Sequence, residues 1–277
     1  MDKMEIIQIG EAEVEDLIAV INDYAGYDFS EYSMPSLLRR FQRYITTNKI
    51  SNLESLREEL KENSSALNHL IEELTVNVTE MYRDPLFFAA LRNEVLPFLK
   101  TLSHIKIWHA GCSTGEEAYS MAILLKENNL LDKSIIYATD INQTVLARAR
   151  EGRYSMESMK EYALNYKESE SQGDFLSNFQ MRDGFACVDD SLKEKIIFSS
   201  HNLVTEGIFN QFDLIVCRNV LIYFNKPLQD QVFTTFYKSL NENAFLAIGS
   251  KETLLFSSIE DKMETVNMKW KIWRRKA

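Results

Sequence analysis

Residues 105–120 read IKIWHAGCSTGEEAYS. The β-branched and aromatic run of Ile105, Ile107 and Trp108 ends at a turn that opens on Gly111 and closes on Gly115, and a helix-forming run follows over Glu116 to Lys126. Strand, glycine loop and helix in that order present a ligand site at the carboxyl end of the first strand of an α/β sheet. The loop also spells G-x-S-x-G, the nucleophile elbow of serine hydrolases. The two residues after it are both acids, Glu116 and Glu117. These features point at different ligands.

Outward from this stretch, strands and helices alternate, the mark of an α/β fold. Strands are expected over 105–110, 135–139, 196–199, 212–217 and 244–249, with helices over 116–127, 142–151 and 227–240. Residues 266–273 read as one further strand, an antiparallel edge on an otherwise mostly parallel sheet. The excursion between 151 and 196 reads as a helix and then a small antiparallel insertion at about 175–200. Upstream, residues 1–75 read as all-helical. Val14, Leu17, Ile18 and Ile21 recur at helical spacing, as do Leu37, Leu38, Phe41 and Ile45, then Leu53, Leu56 and Leu60, then Leu67, Leu70, Ile71 and Leu74. Pro35 fits the first turn of the second helix. The expected organisation is a helical domain over 1–75, a linker over 76–104 and an α/β domain over 105–277.

Composition narrows the function classes. A net charge of −10 over 277 residues argues against a nucleic-acid partner, which needs a basic footprint. Cys112, Cys187 and Cys217 form no C-x-x-C pair, and with four histidines no zinc-ligand spacing is present, so no metal is expected. Sparse, odd cysteines fit a reducing cytosol. The N-terminus is interrupted by acids and lacks the apolar core of a signal peptide. No uncharged apolar run approaches the roughly 18 residues of a membrane span. A cytoplasmic protein without membrane insertion is expected.

What the glycine loop holds can be argued by elimination. A hydrolase needs a histidine base and an acid at Ser113. His109 and His201 are the nearest candidates, and Glu116 and Glu117 crowd the helix start. A dinucleotide site uses G-x-G-x-x-G and a helix N-terminus for pyrophosphate; that spacing is absent, and two carboxylates would repel phosphate. Acids there can simply offset the helix dipole, which accounts for one of the two. A phosphate-free ligand bearing positive charge fits better. S-adenosylmethionine has a sulfonium and an ammonium group, and a carboxylate at the loop can pair with the ammonium. Asp140, about 25 residues past the loop at the end of the second strand, can accept two hydrogen bonds from a ribose diol. Its alternative role is an N-cap for the next helix.

Five segments then carry a resemblance: NVTEMYRDP at 77–85, AGCSTGEEAYS at 110–120, YATDIN at 137–142, FSSHNL at 198–203 and FDLIVCRNVLIYF at 212–224. Together they resemble the CheR family, chemotaxis receptor methyltransferases that methylate glutamates using S-adenosylmethionine. The resemblance implies a Rossmann-like S-adenosylmethionine-dependent methyltransferase domain, preceded by a small receptor-facing helical domain and carrying a small antiparallel β insertion. It implies that Asn77, Thr79 and Arg83 lie against the cofactor, Glu117 pairs with its amino group and Asp140 holds its ribose. It further implies that Asn202 and Leu203 border the adenine, Arg218 and Asn219 line the pocket, and Arg83 and Tyr223 assist methyl transfer. Blander roles stand beside these: Arg83 paired with Asp84, Tyr223 a core aromatic, Asn77 and Thr79 capping a helix near Pro85, Leu203 acting only by packing. Ala118 stands where the family commonly has proline, Met81-Tyr82 where two phenylalanines are usual, and Asn241-Glu242-Asn243 in place of a glycine-rich turn. None of these departures touches an expected charged contact.

The implied reaction is an in-line displacement in which a glutamate oxygen takes the methyl from sulfur, leaving S-adenosylhomocysteine. A glutamate titrates near 4.3, so the nucleophile is already ionised and no general base is required. Residues 1–75 carry seven Lys and Arg against fifteen Asp and Glu, yet Arg39, Arg40 and Arg43 cluster on one expected helix. They are either a solvated face or a docking face for the acidic cytoplasmic helices of a chemoreceptor. In the family the β insertion can also bind a receptor's C-terminal peptide by strand addition. Alternatives are a cofactor-binding sensor without catalysis, or a methyltransferase acting on another signalling protein.

Overall fold

In the computed structural model the described residues are 7–75 and 79–277. They divide into two compact units, one holding the residues up to 75 together with Tyr223–Gln229, the other holding residues 79–222 and Asp230–Ala277. Of the expected site residues, Asn77 lies outside the described residues.

The first unit is four helices: α1 Glu11–Ala25, α2 Met34–Thr47, α3 Leu53–Glu62 and α4 Ser64–Leu74. Their apolar residues recur every three to four positions, so each helix has one face to bury. Val14, Leu17, Ile21, Phe41, Leu60 and Leu70 meet in a single core. Short polar side chains start the last two helices. Asn52 Oδ1 accepts from Glu54 N at 2.8 Å and Asn63 Oδ1 from Ser65 N at 3.0 Å, supplying acceptors that a helix start lacks. Residues 223–229 join this unit through the backbone: Ser33 N donates to Tyr223 O at 2.8 Å and Asn225 N to Glu31 O at 3.0 Å.

The second unit opens with a helical run, α5 Pro85–Ala90 and α6 Leu96–Thr101. A π turn over Leu91–Val95 separates them, just before Pro97. Proline has no N–H to donate and crowds the carbonyl four residues back, and a widened turn absorbs both defects. The residues expected as linker are thus largely helix.

Ten strands follow. β1 Ile105–Ala110, β2 Ser134–Asp140, β6 Ile196–Ser200, β7 Phe212–Cys217, β8 Leu240–Ile248, β9 Met263–Asn267 and β10 Ile272–Arg275 form one sheet, in the order β6-β2-β1-β7-β8-β10-β9. The first five in that order pair in parallel, and β10 and β9 are antiparallel. α7 Glu116–Glu127, α8 Gln143–Glu151 and α11 Lys226–Ser239 are the helices of the crossovers. Side chains alternate across the sheet: Ile107, Ile136, Leu214 and Val216 join the core that contains α7. Fully buried Trp108 lies against Phe212 and Phe236.

Two expectations are corrected. Residues 266–273 are two strands rather than one. Asn267 Oδ1 accepts from Trp270 N at 2.9 Å and Lys271 takes a φ of 55°, so a side-chain-closed turn splits the run into the β9–β10 hairpin. The small sheet also starts earlier than about 175. Its order is β3-β5-β4, with β3 Arg153–Ser155, β4 Phe179–Arg182 and β5 Phe185–Val188. β3 comes straight out of α8, before the helix α9 Met156–Glu168. A short helix, α10 Asp190–Lys193, then returns the chain to the large sheet. All three cysteines are free thiols; Cys112 and Cys217 are buried and Cys187, on β5, is partly exposed.

Candidate active site

The chain runs from β1 outward to β2 and β6, then crosses back to place β7 on the other side of β1. In open α/β sheets a ligand crevice lies outside the carboxyl ends of the strands where the order reverses, here between β1 and β7. Each flanking strand leads on to a charged residue. Glu117, in the first turn of α7, comes from the β1 side, and Arg218, directly after β7, comes from the other.

The two meet. Arg218 Nη1 donates to Glu117 Oε2 at 2.8 Å and to the Arg83 carbonyl at 3.2 Å, and Arg218 Nη2 donates to Asp84. The guanidinium also stacks 4.1 Å from the Phe87 ring centroid. His109, pointing from β1 to the α7 face, places Nδ1 3.0 Å from Glu117 Oε1. Because the carboxylate can only accept, Nδ1 carries the proton. Burial alone would raise the Glu117 carboxyl. The His109 hydrogen bond and the Arg218 charge outweigh it and bring the pKa down to about 2. His109 Nε2 is buried without a partner.

Its neighbour Glu116 turns the opposite way. Both its oxygens lie within reach of Thr114 Oγ1, at 2.9 and 2.7 Å, and Oε1 also takes the Tyr162 hydroxyl at 3.3 Å. Burial pushes this carboxyl up. Glu116 faces a cavity of about 400 Å³ lined also by Arg148, Arg153 and Tyr154. The two adjacent acids therefore differ in role, and Glu117 is the one at the crevice.

The loop between β1 and α7 is pinned to the end of β2. Gly111 N and Cys112 N donate to Thr139 O at 2.8 and 2.9 Å. Gly111 has a φ of 79°, and a Cβ there would lie 2.3 Å from Val220 Cγ2, so the turns after β1 and β7 are in direct contact only because the residue is glycine. Asp140 Oδ2 accepts from Ser113 N at 2.8 Å and Oδ1 from Asn142 N at 3.0 Å. Burial raises the Asp140 carboxyl against these amides. The N-cap of α8 is Asn142 rather than Asp140, since Asn142 Oδ1 accepts from Thr144 N at 2.9 Å. Ile141 N also bonds this carboxylate, so three of its roughly four acceptor sites are engaged.

The residues expected beside the adenine, Asn202 and Leu203, follow β6. His201 N donates to Asp140 O at 3.2 Å, tying this turn to β2. Asn202 Oδ1 accepts from Val204 N at 2.9 Å, which leaves its amide NH₂ to donate; Leu203 is partly buried. Asn219 takes a φ of 62° in the turn after β7. Glu117, Asp140, Asn202, Leu203, Arg218 and Asn219 thus all lie at strand carboxyl ends, with Arg83 joined to them through its carbonyl. Thr79 is partly buried in the segment before α5. Ser113 Oγ is buried with no partner, and His109 is committed to Glu117, so the Ser–His pairing of a hydrolase is not formed.

In the helical unit, Tyr223 lies under the Arg40 guanidinium, 4.7 Å from its ring centroid. Arg40, expected on a docking face, turns inward and donates to Leu74 O at 2.8 Å. Arg39 and Arg43 are exposed, four residues apart on α2. His109, Asp84 and the buried Glu252 are the site-adjacent groups that sequence reasoning missed. Asp84 had a readable signal in the Arg-Asp-Pro run, whereas the partners of His109 and Glu252 come from other strands' ends.

Among the described residues no group of three or more His, Cys, Asp or Glu is placed to hold a metal ion, and no helix is long and apolar enough to cross a membrane. The crevice does fit a cationic, phosphate-free cofactor. Glu117 is held ionised beside it, and Asp140 stands at the end of β2. The sequence profile described as the CheR methyltransferase SAM-binding domain matches residues 77–272, and that of the CheR methyltransferase all-alpha domain matches residues 12–75. A Pseudomonas putida protein named "Putative methyltransferase Cher3" is 44% identical over 263 residues, covering 95% of this chain and 96% of that one. A Listeria innocua protein named "Chemotaxis protein methyltransferase" is 32% identical, covering 85% of this chain and 88% of that one. A Borreliella burgdorferi protein of the same name is 32% identical, covering 90% of each. With both profiles matched in order and a relative 44% identical over nearly the whole of both chains, the chain belongs to the CheR family of S-adenosylmethionine-dependent methyltransferases.

Proposed function

We propose that this methyltransferase acts in the cytoplasm and transfers the methyl group to glutamate side chains on the cytoplasmic helices of chemoreceptors, giving glutamyl methyl esters. The observation that carries the reading is the Glu117–Arg218 pair at the switch point. It keeps a carboxylate ionised where a cofactor ammonium would sit. The printed name of the relatives, chemotaxis protein methyltransferase, supports a chemotaxis protein as the acceptor.

Bound S-adenosylmethionine supplies a methyl group on a sulfonium leaving group. Glu117 would accept from the ammonium, and Asp140 would accept from the ribose diol. Asn202 and Leu203 border the adenine. Arg218 and Asn219, with Thr79, would line the rest. Arg83 would orient the acceptor carboxylate. The acceptor oxygen would take the methyl in line with the carbon–sulfur bond, whose electron pair the sulfonium would keep as the leaving group. No proton moves, so the protein's task is alignment and exclusion of water. Carboxylate and sulfonium lose their charges together, and a water-poor site favours that. Arg39 and Arg43 face an acidic receptor bundle; Arg40 is committed within its own unit.

Incubation with methyl-labelled S-adenosylmethionine and a receptor cytoplasmic fragment tests this. Label on the fragment that base releases as methanol is the expected result. Label on a different signalling protein, or tight cofactor binding with no transfer, would sink the receptor assignment.

A further inference from the structure

Beside the crevice lies a buried carboxylate that the reaction does not use. Glu252 is 6% exposed and sits three residues beyond Gly249, just past the end of β8. It accepts from Asn219 N at 3.3 Å, Val220 N at 3.0 Å and Leu221 N at 2.8 Å, and from Gly249 N. Three of these donors are successive, and the first, Asn219, has a φ of 62°. Successive amides around a left-handed residue form a concave anion nest. Here the chain fills the nest with its own side chain.

The fit is closed on both sides. A Cβ on Gly249 would lie 2.8 Å from Glu252 Oε2 and 2.9 Å from Asn219 N. The end of β8, the carboxylate and the turn after β7 leave no room for a methyl group. Burial pushes the Glu252 carboxyl up, and the amides pull against it. A surface acid would avoid that cost, so the position is informative. The turn it clamps begins at Asn219, and the residue before it is Arg218, which reaches Glu117.

We propose that Glu252 is a positioning residue for cofactor binding, clamping the turn after β7 so that Arg218 meets Glu117 and Asn219 faces the crevice. It touches no cofactor and acts through backbone amides. The proposal rests on the reading of Arg218 and Asn219 as pocket residues. A released turn would weaken binding more than the transfer step at saturating cofactor.

The test is Glu252→Gln, isosteric but presenting an NH₂ to N–H donors. The expected result is S-adenosylhomocysteine affinity about tenfold weaker by calorimetry, KM for S-adenosylmethionine raised alike, and kcat at saturation within about twofold. A merely structural role would lower the melting temperature and leave the affinity of the folded protein unmoved. Gly249→Ala keeps the carboxylate but crowds it, and should shift affinity in the same direction even if Glu252→Gln fails to fold. Asn219→Ala separates the two readings. If it weakens binding while folded Glu252→Gln or Gly249→Ala binds as wild type, the positioning role is overturned. If Asn219→Ala itself binds as wild type, the pocket reading beneath it fails.

Discussion

Two neighbouring glutamates show how far one position on a helix changes a side chain's chemistry. Glu117 is ionised with two partners and its carboxyl lies near 2, whereas burial raises that of Glu116. A carboxyl whose folded value is depressed stabilises the fold above its unfolded value of 4.5, and the contribution is lost as pH falls toward 2. The difference amounts to about 3 kcal/mol. Glu117→Gln should therefore lose about that much stability near pH 7 in urea unfolding, with the deficit shrinking toward about pH 3. For Glu116 the sign is reversed, because ionisation costs more in the fold than in the unfolded chain. Glu116→Gln should stay within about 1 kcal/mol of wild type near pH 7. Equal losses for the two variants would contradict this division. The acids themselves were legible, since Glu117 and Asp140 stand at fixed offsets from a glycine turn. His109 and Glu252 were not. The partner of Glu252 lies 31 to 33 residues away, across the end of a neighbouring strand, and His109 acquires a role only once β1 and α7 are folded together.

At the scale of elements, the site exists because two turns touch. Gly111 and Val220 belong to the turns after β1 and β7, and the missing Cβ of Gly111 lets them close. Gly111→Ala should cost about 1–2 kcal/mol, part from the positive φ and part from the clash. It should also weaken S-adenosylhomocysteine binding, as calorimetry would report. Adding Val220→Ala should recover the steric part and leave the dihedral part, a pattern that a double-mutant cycle reads directly. The parallel strands and α7 could be read from the sequence because long apolar runs bounded by Gly or acids have few alternatives. The β9–β10 hairpin could not, because its turn is closed by an Asn267 side chain inside an otherwise strand-like run. Three-residue β3 is too short for any periodicity and exists only through its pairing with β5.

At the scale of the whole chain, charge is the feature that matters. The net of −10 would repel an acidic receptor bundle, yet α2 exposes Arg39 and Arg43. Arg43 is 75% exposed and lies 3.9 Å from Glu73, too open for that pair to hold it strongly. Such charges govern encounter more than affinity. Reversing Arg39 and Arg43 to Glu should lower the initial rate of receptor methylation about tenfold at low salt, less near physiological salt, and leave cofactor affinity unchanged. Wild-type rates at low salt would remove these residues from docking.

The cysteines have a practical consequence. Burial pushes the thiols of Cys112, in the glycine loop, and Cys217, at the end of β7, well above their usual range, so neither forms thiolate readily. Cys187, on the central strand of the small sheet, is the partly exposed one. Mild thiol-directed labelling therefore installs a single dye on the small sheet. The native chain already carries a reporter position that leaves the cofactor crevice untouched.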